Sequence, residues 1–210
     1  ALLMLVATVA IYLNWLAYIF AALTGHVIEA ALGYFITPLV TVLLGVVVLR
    51  EKLRPAQWAA LGIALIAIVV IVVGYGSLPW IALVLAITFA AYGLVKRVVG
   101  ARVDAITGLT LETAWLAPLA VVQLVLVGTV GGGLAFGAHG TAHALLMLAA
   151  GIVTTVPLLL FAAGARRIPL VGLGLAQFLT PVLQFLVGWL LRGEAMPPER
   201  WIGFGLVWLA

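Results

Sequence analysis

Long apolar runs alternate along this chain with short breaks rich in charge, glycine or proline. The runs fall at about 1–23, 28–49, 55–74, 78–96, 106–128, 142–163, 168–191 and 199–210. A helix needs about 20 apolar residues to cross a bilayer, and all but the last run reach roughly that length. Membrane β-strands would show segments of about 10 residues with period-two alternation. These runs are continuous instead. The pattern predicts an all-α polytopic membrane protein with about eight spans.

Composition sharpens this. Of 210 residues, 67% are hydrophobic and 8% are charged. A soluble domain carries about 25% charge, so this chain has too little polar surface to cover one core. Disorder requires the opposite composition and is excluded. There is no cysteine, which removes disulfides, thiolate metal sites and a Cys nucleophile. The net charge is +4, and the basic residues cluster at span ends rather than forming a nucleic-acid-binding face. Arg50, Lys52 and Arg54 follow span two, Lys96, Arg97 and Arg102 follow span four, and Arg166 and Arg167 follow span six. The alternate connections at 24–27, 74–77 and 129–141 carry none. Positive residues mark the cytoplasmic side, so span one starts from the cytoplasm. Arg192 and Arg200 are the exceptions.

An internal repeat organises the spans. Residues 32–67 align without a gap to residues 175–210, at an offset of 143. The informative identities are Thr37/Thr180, Pro38/Pro181, Gly45/Gly188, Glu51/Glu194, Pro55/Pro198 and Trp58/Trp201. Span two maps onto span seven, an odd number of spans later, so the copies face opposite ways. That is an inverted repeat of five-helix halves, a plan common among secondary transporters. On this count the chain is a truncated part of a ten-span protein with both ends cytoplasmic. Residues 1–74 are read as the last three helices of the first repeat, its first two helices missing. Residues 75–210 are read as the second repeat with its last helix cut short.

Several stretches carry a resemblance. They are Asn14-Trp15, the block from Gly25 to Trp58, the VDAITGLTLET segment from Val103 and the PLLLFAAGARRIPL segment from Pro157. The chain resembles RarD-type permeases of the EamA family, in the drug/metabolite transporter superfamily. The resemblance implies ten helices in two inverted halves, a multi-pass position in the bacterial inner (cytoplasmic) membrane, and export of small metabolites or drugs.

The residues themselves nominate a site. Proline within a helix removes a backbone bond. Pro38 and Pro181 both fall near the middle of their spans, and interrupted helices at matching repeat positions point to a transporter's binding site. Tyr34, Thr37 and Thr41 share one face of span two, and their repeat partners Gln177, Thr180 and Gln184 share one face of span seven. Polar groups facing lipid are costly, so these faces should point into the protein. The threonines have a second way out, by bonding to their own helix backbone. Asn14 is the only asparagine and reads either as an interhelical hydrogen bond or as a substrate contact. Trp15 stacks on a ligand or faces lipid, and Tyr92 shares a face of span four with Thr88.

Two carboxylates stand apart from the basic turns, Glu29 near the outer start of span two and Glu112 two turns into span five. Each is a candidate for coupling to protons, because burial favours the neutral carboxyl. The competing readings are a helix-terminal charge for Glu29 and pairing with Lys96, Arg97 or Arg166 at the cytoplasmic surface for Glu112. Glu51 and Glu194 recur in the repeat at helix ends and read as structural, holding the turn against Arg50, Lys52 or Arg192. His139 and His143 have metal-ligand spacing but no nearby carboxylate or thiolate. Asp104, the only aspartate, reads as the cap of span five.

No catalytic dyad, triad or phosphate loop can be assembled, so an enzyme is not expected, and no cofactor or metal is. The expected partners are the lipid bilayer and a small-molecule substrate, without nucleic acid; a homodimer stays open. The leading reading is a permease that exports by alternating access, with proton coupling as one option. The alternative is a non-transporting scaffold or channel-like protein.

Overall fold

A computed structural model of the chain describes residues 2–75, 79–131, 133–180 and 183. Seven helices occupy these residues: α1 (Leu2–Leu23), α2 (Val27–Val47), α3 (Pro55–Tyr75), α4 (Trp80–Val99), α5 (Ala105–Thr129), α6 (Gly140–Arg167) and α7 (Leu170–Gln177). No strand occurs among them. The first six helices track the first six apolar runs within a few residues, and the breaks explain their ends; most of the seventh run beyond α7, and the eighth run at 199–210, lie outside the described residues. Gly25 takes the left-handed conformation (φ 77°) after α1, which glycine adopts without steric cost. Asp104 begins α5, its Oδ1 accepting from the amides of Ile106 and Thr107, each at 3.0 Å.

Four helices, α1, α4, α5 and α6, are long and apolar enough to cross a membrane, and α2 and α3 contain shorter apolar stretches at Leu32–Val47 and Pro55–Ile66. At 1.5 Å per residue the 22 residues of α1 span about 33 Å, the thickness of a hydrocarbon core. The chain is an all-α polytopic membrane protein. Its hydroxyls behave as an apolar solvent demands. Thr8, Thr24, Thr113, Thr129 and Thr154 each donate to the carbonyl four residues back, at 2.7–2.9 Å.

The chain divides into two compact units. One comprises residues 10–94 and 168–210. Its core is built on one face of α2, from Leu32, Ile36, Leu39 and Val42, against Leu61 and Ile68 of α3, Ala82 and Ala86 of α4, and Val171 of α7. A second cluster joins Ala17 and Ala21 of α1 to Ala30 of α2 and to Ile81 and Leu85 of α4. Small side chains there let helix backbones approach closely, the usual basis of helix association without a hydrophobic driving force.

The other unit comprises residues 1–9 and 95–167, in which α5 packs on α6. Arg166 Nε donates to the Gly100 carbonyl at 2.7 Å, and Arg97 Nη1 donates to the Arg166 carbonyl at 3.0 Å. These bonds tie the end of α4 to the end of α6. The apolar side chains of α6, Leu145, Leu146, Leu148, Ile152 and Val153 among them, are exposed and are suited to a hydrocarbon environment.

Candidate functional site

Of the polar faces named from the sequence, Thr41 and Gln177 meet at one seam, where α2 packs against α7. The two helices run antiparallel. A Cβ on Gly45 would lie 3.1 Å from Val171 N, and one on Gly174 would lie 2.7 Å from Val42 Cγ2 and 3.1 Å from the Pro38 carbonyl. Glycine at both positions lets the backbones touch. One step further along, Thr41 Oγ1 meets Gln177 Oε1 at 3.5 Å. Thr41 also donates to the Thr37 carbonyl at 2.8 Å, and Thr37 to the Gly33 carbonyl at 2.7 Å. Both threonines are buried and satisfied by their own helix.

Pro38 sits inside α2 and is fully buried. Its missing amide leaves the Tyr34 carbonyl without the usual donor one turn on. Tyr34 is half-buried and meets Tyr18 of α1 edge-on, with ring centroids 6.4 Å apart. Gln177 is also half-buried, and its Nε2 is shielded from solvent with no hydrogen-bond partner among the described residues. An unpaired buried amide donor is costly, and a ligand acceptor would satisfy it. Thr180 is exposed. Pro181 and Gln184 lie outside the described residues, as do Glu194 and Trp201.

The remaining candidates have structural partners. Asn14 Nδ2 donates to the Leu85 carbonyl at 2.9 Å and to Thr88 Oγ1 at 3.0 Å, so it joins α1 to α4. Trp15 is exposed beside it. Tyr92 is fully buried, with its ring 6.1 Å from that of Phe89. His139 and His143 approach ring to ring at 5.1 Å, and no group of three or more His, Cys, Asp or Glu side chains suited to a metal occurs among the described residues.

The acidic residues sort by geometry. Glu29 is buried, and its Oε1 accepts from Ile81 N at 2.7 Å. It therefore serves the N-terminus of α4, where the positive end of the helix dipole favours a carboxylate. Glu112 is buried and lies 2.6 Å from Lys96 Nζ, itself buried. The partner is one that the sequence offered, but the pair is enclosed rather than at a surface. Asp104 is fully exposed. The hydroxyl and amide of Thr107, and the amide of Ile106, hold its carboxyl below the usual carboxylate range.

Glu51 is structural, as the sequence suggests, but through other partners: among the described residues its oxygens bond neither Arg50 nor Lys52, and Arg192 lies outside them. Oε1 accepts from Leu170 N and Oε2 from Val171 N, both at 2.8 Å, at the start of α7. The available signal was Pro169, which precedes α7 and offers no side-chain cap.

The chain is similar to curated proteins over nearly its whole length. It is 49% identical over 200 residues to Protein RarD of Streptomyces exfoliatus, covering 95% of this chain and 62% of that protein. It is 42% identical to Protein RarD of Escherichia coli K12, covering 94% of this chain and 66% of that protein. An uncharacterised transporter of Vibrio cholerae is 40% identical, with 99% of this chain and 68% of that protein covered. The chain thus spans about two thirds of the length of these relatives. No family model matches it, and no solved structure does.

Proposed function

Since this chain belongs to the RarD-type permeases, a family of membrane transporters, we propose that the full-length protein exports small metabolites or drugs from the bacterial cytoplasm across the inner membrane by alternating access. The observation that carries the site is the shielded Gln177 amide nitrogen on the α2–α7 seam, without a partner among the described residues. Gln177 shares a rung with Thr41, which stands three residues after the proline inside α2. A substrate carbonyl or carboxylate is the natural acceptor for that donor. Tyr34 and Tyr18 add an aromatic wall to the same unit. What supports the inverted-repeat reading of residues 1–74 and 75–210 is the gap-free match of residues 32–67 to 175–210.

Asn14, Trp15, Thr37, Tyr92, Thr180, Pro181 and Gln184 remain further candidates for the substrate path. Glu112 is the preferred coupling residue. It is buried against Lys96, and protonating it would remove the negative charge that this cation faces. Glu29 is the second, because a proton on it would loosen its bond to α4.

The test is uptake and efflux by the full-length protein in proteoliposomes, across a panel of radiolabelled amino acids, nucleosides and aromatic drugs, with and without a pH gradient. Gln177→Leu is expected to abolish flux of the transported compound while leaving folding intact. Flux unchanged by Gln177→Leu would remove the seam site. Gradient dependence that survives Glu112→Gln would remove Glu112 from coupling.

A further inference from the structure

Most helices secure their first amides with a side chain one residue upstream. Two helices here do otherwise. Pro169 makes no side-chain cap on α7, and the carboxylate that does comes from Glu51, 119 and 120 residues away along the chain. At the other end of α2, Glu29 bonds the second residue of α4, which follows a buried proline, Pro79. A locally capped helix keeps its cap however its neighbours move. A remotely capped one is satisfied only while the two helices stay together.

The Glu51 cap closes the basic end of the α2–α7 seam. Arg50 turns the chain there with a left-handed backbone (φ 55°), and Glu51 N bonds back to the Gly45 carbonyl at 3.1 Å. This turn sets the carboxylate over the amides of Leu170 and Val171. Gly45 is required beside it, because a Cβ would lie 3.2 Å from Glu51 Oε2 as well as against Val171. The sequence of contacts from this end is Glu51 on Leu170 and Val171, Gly45 on Val171, Val42 on Gly174, then the polar rung of Thr41 and Gln177. The first three contacts close off the polar rung from the basic end.

We propose that Glu51 is a positioning residue for transport: its two bonds to the start of α7 latch the basic end of the α2–α7 seam, and the seam opens to that side only when they break. The proposal rests on the transporter reading. Glu51 touches no substrate. It acts by making the closed arrangement of α2 and α7 the one in which the helix terminus is satisfied. Gln in its place retains one acceptor oxygen and one bond; Ala retains neither.

The test uses the full-length protein in proteoliposomes, with all native cysteines removed and one reporter introduced. Val42→Cys lies buried under Gly174 in the seam, and Ala86→Cys is buried in the same unit on α4. Labelling by a membrane-impermeant maleimide from the basic-end side is expected to be slow at both. Adding Glu51→Ala is expected to speed V42C labelling at least about tenfold, Glu51→Gln to give an intermediate rate, and A86C to stay slow throughout. Equal acceleration at A86C would mean general loosening and would overturn the latch, as would V42C labelling indifferent to both substitutions. Wild-type flux alongside that indifference removes the latch and keeps the transporter reading. A seam that opens as expected, in a protein inert toward the whole panel, keeps the latch as a structural switch and removes transport.

Discussion

At the residue scale, single hydrogen bonds fix several of the buried polar side chains among the described residues. Asn14 spends its amide donor on two acceptors of α4. Interhelical bonds in membranes are worth about 0.6 kcal/mol on average and up to about 1.7 kcal/mol. Asn14→Ala is expected to lower stability by about 0.5–1.5 kcal/mol in detergent-titration unfolding. A double-mutant cycle with Thr88→Val should return part of that as coupling. Asp104 makes a pH prediction. Its folded carboxyl titrates below the unfolded one, so its contribution to α5 is complete above the ordinary carboxylate value of about 4. The contribution is lost as pH falls through the folded value. Amide exchange at Ile106 and Thr107 should therefore accelerate on acidification beyond the intrinsic pH effect. Asp104→Asn, which keeps an acceptor without the charge, should show no such step.

At the element scale, glycine placement and charge pairing decide how helices meet. A methyl on Gly174 would be driven into Val42 and the Pro38 carbonyl, whereas Gly62 of α3 has no atom within 4 Å of a new Cβ. Gly174→Ala is expected to cost about 1–3 kcal/mol through overpacking. Gly62→Ala should be neutral or slightly stabilising, since alanine is the better helix former. Thermal melting of the two variants side by side checks this. The Lys96–Glu112 pair belongs to the same scale. Removing one member of a buried ion pair is costly, so Glu112→Gln is expected to destabilise by about 3–5 kcal/mol. Removing both charges with Lys96→Met and Glu112→Leu should restore most of the loss, because the desolvation cost disappears with them. A double variant that melts as low as the single one would show that the pair contributes more than charge neutrality.

At the scale of the whole molecule, the sequence carries the topology. Basic residues recur after alternate spans, so a cysteine placed at Gly25 should be labelled from outside intact cells, and one at Lys52 only after permeabilisation. The first six helices, the breaks between them and the all-α class were all legible from the pattern of residues. So was the α2 face carrying Tyr34, Thr37 and Thr41. Each of these depends on neighbours within a few turns, where apolar length, proline, glycine and charge act locally. Other features were not legible. Glu51 was read against the arginines and lysines beside it, yet it caps a helix 119 residues on. Glu29 was read on its own helix and serves α4. The need for glycine at positions 45 and 174 arises only where two backbones touch. A helical period says which residues share a face, but not what that face meets. The sequence therefore determined that these helices exist, that the chain is a multi-pass membrane protein, and where polar groups must be hidden. Only the tertiary structure decided which distant amide each hidden carboxylate would hold, because that depends on packing between segments far apart in the chain.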